Sequence, residues 1–264
     1  MADNYNSCEP HFRPENIEKV EEQIKKLVPA NEDSSLLDLG CGSGFIIHIA
    51  KKHFKLIHGV DVTQAMLDKV DLGGDATIEL FNHDSGSYPV EEETFDAVTV
   101  YSFLHHLYDI EPTLKTAFKA LKQGGKFYAD LEPNYEFWFE INKLDRNGKH
   151  DPIVKREIEM VTYKDEDIEK NFGVDKEVFN NAEYGKNIQG GLKEEILRET
   201  LLSIGFKEVN IFYHWFLGQG QLINDEQYSK EERFDHANVM HTILEKALPL
   251  SKSLFKYLGF IAVK

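Results

Sequence analysis

Cysteine is scarce in this chain of 264 residues, with Cys8 and Cys41 the only two. A disulfide scaffold and a four-thiolate zinc site are both excluded, and such thiol usage suits a reducing, cytoplasmic setting. No apolar run approaches the roughly 18 residues that a membrane-spanning helix requires. The opening residues, Met1-Ala2-Asp3-Asn4-Tyr5-Asn6, lack the basic stretch and apolar run of a classical export signal. Positive charge is short as well: 30 Lys and Arg face 46 Asp and Glu, a net charge of −16. That average field repels phosphate backbones and anionic lipid, so neither nucleic acid nor a membrane is an expected partner. By the same reasoning a neutral or cationic small molecule is expected to approach more readily than an anion. A monomer or a homodimer fits this composition equally.

What is present is enough to build a core: 41% of residues are hydrophobic and 12% aromatic. Residues 15–29 place Ile17, Val20, Ile24, Leu27 and Val28 at helical spacing, which predicts an amphipathic helix within an N-terminal cap region, 1–35. Short apolar runs then alternate with helical stretches. Strands are expected at 36–39, 56–61, 77–81, 95–101 and 126–131, and helices at 45–54, from about 63, and at 111–121. Short loops join them, the signature of a doubly wound, parallel α/β sheet. After Pro133 the rhythm breaks. A helix at 193–204 and strands at 207–215 and 257–263 complete one domain over 1–264, and the stretches 134–191 and 217–253 read as insertions that form a lid over a substrate.

The chemistry gathers at Leu36-Leu37-Asp38-Leu39-Gly40-Cys41-Gly42-Ser43-Gly44, where glycines recur every second residue directly after an apolar strand. Glycine tolerates positive φ and lets a ligand approach the backbone, so the loop can wrap a nucleoside-bearing cofactor at the carboxyl edge of the sheet. Asp61, at the end of the next strand, can accept both hydroxyls of a ribose. Two cofactors satisfy this pattern, a nicotinamide dinucleotide and S-adenosylmethionine. The dinucleotide fingerprint wants glycine or alanine where Phe45 stands, and the Asp38 carboxylate would repel a pyrophosphate but suit ammonium and sulfonium charges.

With these residues in view, the chain resembles the class I S-adenosylmethionine-dependent methyltransferases of the small-molecule type. The resemblance rests on the loop from Asp38 to Gly44, on Gly59-Val60-Asp61, on His83-Asp84, and on Phe95-Asp96 through Ser102-Phe103-Leu104-His105-His106-Leu107 to Leu121-Lys122-Gln123-Gly124-Gly125-Lys126. It implies a mostly parallel, seven-stranded Rossmann-like sheet. It also implies S-adenosylmethionine held by Asp38, Gly40, Cys41, Gly42 and Gly44 at its methionine end and by Asp61 at its ribose, with Val62 also against the cofactor. Asp84 would meet the adenine amino group with Ser85 nearby, and Tyr101 would lie beside the cofactor. The insertions carry no such resemblance.

Methyl transfer asks a protein mainly for alignment, desolvation and a base. His105 and His106, after the fourth strand at the ligand edge, are the candidate catalytic bases, against a structural role capping the following helix. Tyr135, Phe137, Trp138 and Phe139 either line an acceptor pocket or belong to the core, and the same choice holds for Tyr213, His214 and Trp215. Cys41 is expected to be a packed side chain rather than a nucleophile. His11, His236 and His241 show no metal-ligand spacing, so no metal site is expected. The leading function is methylation of a small molecule at oxygen or nitrogen. Its competitors are a non-catalytic cofactor-binding module, a methyltransferase acting on protein or nucleic acid, and, more distantly, a nicotinamide oxidoreductase.

Overall fold

Seven strands form a single sheet in the computed structural model, which describes residues 12–29, 33–161, 168–170 and 173–264. They are β1 (Ser35–Leu39), β2 (Leu56–Asp61), β3 (Thr77–Asn82), β4 (Phe95–Tyr101), β5 (Leu121–Pro133), β6 (Glu208–Phe216) and β7 (Phe255–Val263), in the spatial order β3-β2-β1-β4-β5-β7-β6. All pairs from β3 to β5 are parallel, while β7 runs antiparallel to both β5 and β6. The apolar pattern of β7 says only that the strand is buried, since periodicity carries no direction. β5 begins earlier than the expected 126: its pairing with β4 jumps from Phe95↔Leu121 to Ala97↔Lys126, so Gly124-Gly125 forms an irregularity inside the strand rather than a turn before it.

Burial on both faces explains the continuous apolar runs. β1 is buried along its whole length, as central parallel strands are. On one face Val98 and Val100 pack against Leu114 and Ala117 of α4 (Glu111–Ala120) and Leu197 and Leu201 of α8 (Glu194–Ile204). On the other, Leu36 and Ala97 meet Val20 and Ile24 of α1 (Pro14–Leu27) and the isoleucines of α2 (Phe45–Ala50). Each such aliphatic side chain, removed from water, stabilises the fold by roughly 1.5–3 kcal/mol. At the amino edge Asp96 accepts from Ser35 N (2.9 Å), Ser35 Oγ (2.9 Å) and Lys122 Nζ (2.9 Å), which fixes the starts of three adjacent strands. A short helix, α3 (Gln64–Leu67), follows β2.

The stretch 134–191 holds α5 (Tyr135–Asn142), α6 (Pro152–Val161), α7 (Lys176–Ala182) and a π-helical turn (Tyr184–Ile188). Its two ends meet: Leu192 N donates to Pro133 O (2.7 Å) and Tyr135 N to Leu192 O (3.1 Å), so the excursion leaves and rejoins the sheet at one place. The second excursion holds α9 (Gln219–Ile223) and α10 (Lys230–Lys246), the latter opened by a capping box between Ser229 and Glu232. A buried ion pair, Glu157 to Lys256, ties α6 to β7, and Glu157 also accepts from Gly218 N (3.4 Å). Among the described residues no helix is long and apolar enough to cross a membrane.

Candidate active site

The strand order reverses between β1 and β4, and open α/β sheets bind ligands in the crevice at such a point, beyond the carboxyl ends of the strands. The turn from β1 to α2 lies there. Gly40 has φ +72°, and a Cβ on it would stand 2.2 Å from the Phe103 ring, so no other residue fits. The turn is held by backbone and by one carboxylate: Gly40 N and Cys41 N donate to Val60 O (2.8 and 3.0 Å), and Gly42 N donates to Asp61 Oδ2 (2.9 Å). Asp61 Oδ1 accepts from Thr63 N (2.8 Å). Each Asp61 oxygen keeps capacity for another donor.

Around the turn the expected residues sit in contrasting environments. Asp38 is buried beneath it; Thr99 Oγ1 donates to its Oδ1 (2.7 Å), and its Oδ2 has no hydrogen-bond partner among the described residues. Burial, helped by the nearby Asp61 charge, pushes the Asp38 carboxyl up to about 7 against the bond from Thr99. The Cys41 thiol is pushed up by burial and by the same two carboxylates, which makes it inert. Val62 is exposed at the rim, as is Asp84, whose Oδ1 accepts from the backbone and hydroxyl of Ser87 (3.0 Å each). The Ser85 hydroxyl is buried against Thr113 Oγ1 (2.8 Å), which ties the turn to α4.

His105 and His106 lie on a single 3-10 turn (Leu104–His106) after β4. A residue without any sequence signal organises them. Glu132, fully buried near the end of β5, accepts from Phe103 N (2.9 Å), Leu104 N (2.8 Å), His105 N (3.0 Å) and His105 Nδ1 (2.9 Å). Four donors satisfy the carboxylate and lock the turn. His106 Nδ1 donates to Ala182 O (2.6 Å), and burial together with the adjacent His105 pushes His106 below the usual imidazole value. Glu183 arrives from the first excursion, its oxygens 3.8 Å from His105 Nε2 and 3.7 Å from His106 Nδ1. One atom from each of His105, His106 and Glu183 falls within 4.8 Å of the others, a grouping of metal-ligand types that spacing along the chain does not show. Lys186 Nζ, 3.0 Å from Glu183 Oε2, already supplies a cation there.

A cavity of about 190 Å³ opens on the α1 side of the sheet edge, lined by Tyr101, Asp130, Leu131, His214, Trp215 and residues of α1 and α10. Two of its wall residues, Leu131 (φ 60°) and Trp215 (φ 57°), are non-glycine residues in the left-handed region, a strain that concentrates at functional sites. Asp130 accepts from Tyr128 OH (2.7 Å) and Leu131 N (2.6 Å), and His214 Nε2 stands 3.4 Å from Asp130 Oδ2. Tyr101 joins the cavity to the glycine turn: its ring packs on Phe45 at 4.7 Å, and its hydroxyl accepts from Asn16 Nδ2 (3.0 Å). Phe137 and Trp138 are core instead, buried with Ile141 and Ile158, while Phe139 is exposed. Tyr213 is buried and donates to Glu194 (2.6 Å). Neither histidine of the 105–106 pair lines the cavity.

Residues 37–129, from β1 through most of β5, match the family described as a methyltransferase domain. Over those residues the chain is similar to methyltransferase domains. A ubiquinone biosynthesis O-methyltransferase of Coxiella burnetii is 24% identical to it over 129 residues, covering 47% of this chain and 53% of that protein. The demethylmenaquinone methyltransferase of Bacillus subtilis is 28% identical over 130 residues, 47% of this chain and 56% of its own. The chain thus spans about half the length of the curated relatives it matches. A SAM-dependent methyltransferase of Archaeoglobus fulgidus superposes with a TM-score of 0.54 at 18% identity, over 94% of each chain. The two chains share a fold over nearly their whole lengths.

Proposed function

We propose that the protein transfers a methyl group from S-adenosylmethionine to an oxygen or nitrogen of a small molecule. The observation that carries this reading is Tyr101, which touches both the residue closing the glycine turn and the cavity beside it. The cofactor supplies a methyl carbon already activated by a sulfonium charge. The residues fit it: Asp61 offers acceptor capacity to ribose hydroxyls, Val62 and Asp84 lie open at the adenine side, and the unpartnered Asp38 Oδ2 is a buried acceptor at the end that carries the ammonium. The names of relatives, a ubiquinone biosynthesis O-methyltransferase and a demethylmenaquinone methyltransferase, point toward a quinone-type acceptor. The excursions at 134–191 and 217–253 act as the lid.

The geometry favours a division of labour between the histidines. His214 with Asp130 faces the cavity as a carboxylate–imidazole pair able to take the acceptor's proton, while His105, held at two atoms by Glu132, positions the turn. His106, kept neutral, is the second candidate base. Incubation with labelled S-adenosylmethionine and a low-molecular-weight metabolite extract should label a small molecule. His214→Ala should then lower kcat by about 10²–10⁴ with affinity for S-adenosylhomocysteine unchanged, and His106→Ala by less. The reverse order would move the base to the 105–106 pair. Label appearing only in protein or nucleic acid would overturn the small-molecule reading.

A further inference from the structure

The methyl-acceptor cavity has a second lobe, of about 240 Å³, that shares Asn16, Lys19, Trp215 and Gln219 with the first. Its lining holds Arg13, Lys19, Lys230 and Arg233 against a single carboxylate, Glu15, and Glu15 is taken by an ion pair with Lys230. Among the described residues Arg13, Lys19 and Arg233 have no carboxylate within ion-pair distance. Arg233 Nε is shielded from solvent and donates to nothing among the described residues; Lys19 is exposed at the rim, and partial desolvation pulls its ammonium below the usual lysine value against the pull of Glu22 and Asp130. Buried donors in proteins are normally satisfied, so the unmet Arg233 Nε calls for an acceptor. In a chain of net charge −16, Arg13, Lys19 and Arg233 gathered on one cavity wall with no carboxylate partner among the described residues mark a place where an anion is wanted.

We infer that the acceptor carries an oxyanion, a carboxylate or a phosphate monoester, which this outer lobe binds through Lys19 and Arg233 while the methylated end lies in the inner lobe between Tyr101, Asp130 and His214. The inference rests on the function proposed above and narrows its substrate class. Trp215, shared by both lobes, supplies an apolar wall for the body of the molecule. The guanidinium of Arg233 matches either oxyanion with paired N–H donors.

Calorimetry on the full chain tests this with probes that need no knowledge of the substrate. S-adenosylhomocysteine is titrated first; its failure to bind would speak against the methyltransferase reading and not against the lobe. Benzyl phosphate, phenylacetate and benzyl alcohol are then titrated into protein saturated with S-adenosylhomocysteine. The two anions are expected to bind at least about tenfold more tightly than the alcohol, and Arg233→Gln and Lys19→Gln each to remove that advantage while leaving the affinity for S-adenosylhomocysteine and the Tm unchanged. A preference for only one anion would identify the oxyanion. Equal binding of anions and alcohol would overturn the inference, as would anion binding that appears only without S-adenosylhomocysteine, since the lobe would then serve the cofactor's own carboxylate.

Discussion

Asp38 shows at the scale of one residue how a site is maintained at the expense of the fold. Its folded-state value, about 7, lies above its ordinary 3.8, so ionisation opposes folding: stability falls as pH rises from about 4 to about 7 and is level beyond. Asp38→Asn keeps an acceptor for Thr99 and removes the charge. The cofactor-free variant should therefore show a higher Tm than the parent at about pH 8 and little difference at about pH 4. Its affinity for S-adenosylhomocysteine should drop, and the rise in affinity with pH through neutrality should flatten. A lower Tm at the alkaline end, with cofactor affinity unchanged, would show that Asp38 is only a structural acceptor. The position of Asp38 was legible from the glycine pattern that follows it. Glu132 was not, because a carboxylate near the end of an apolar strand looks like a solvent-facing residue until the turn it satisfies, 27 to 29 positions away, is folded against it. Ser85, expected near the adenine by resemblance, lies in a turn after β3 with its hydroxyl against Thr113.

Elements of the first half were readable because each strand and helix there is buried by neighbours close in sequence, so local apolar pattern and fold agree. The excursions were not. Tyr135, Phe137 and Trp138 look like a binding wall, yet Phe137 and Trp138 turn inward to a satellite core with α6, and the residue that matters to the site from this excursion is Glu183, which carries no motif. The docking of that segment depends on Gly185: a Cβ there would lie 2.8 Å from His105 Cα and 3.0 Å from His105 O, both backbone atoms that cannot swing aside. Gly185→Val should release residues 176–190 from the histidine turn without unfolding the sheet. Hydrogen exchange is expected to accelerate across that segment and at Phe103 to His105, with the amides of β1 and β4 as slow as before. Uniform acceleration through the sheet would contradict this and make the segment part of the cooperative core.

The molecule as a whole places a glycine turn and an acceptor cavity on either side of Tyr101, where strand order reverses, and covers the edge with α1 and α10. Net charge and composition foretold a chain poor in sites for polyanions, but an average of −16 says nothing of where the few unpaired cations collect. That information exists only once α1 and α10, more than 200 residues apart in the chain, lie together. A crystal structure with S-adenosylhomocysteine bound is the most direct measurement. The expected result has the ribose on Asp61, the glycine turn against the homocysteine, and the sulfur at Tyr101 facing the lobe lined by Asp130 and His214. A sulfur turned away from Tyr101 toward His106 and Glu183, with the cavity beneath α1 closed off from it, would contradict the proposed site.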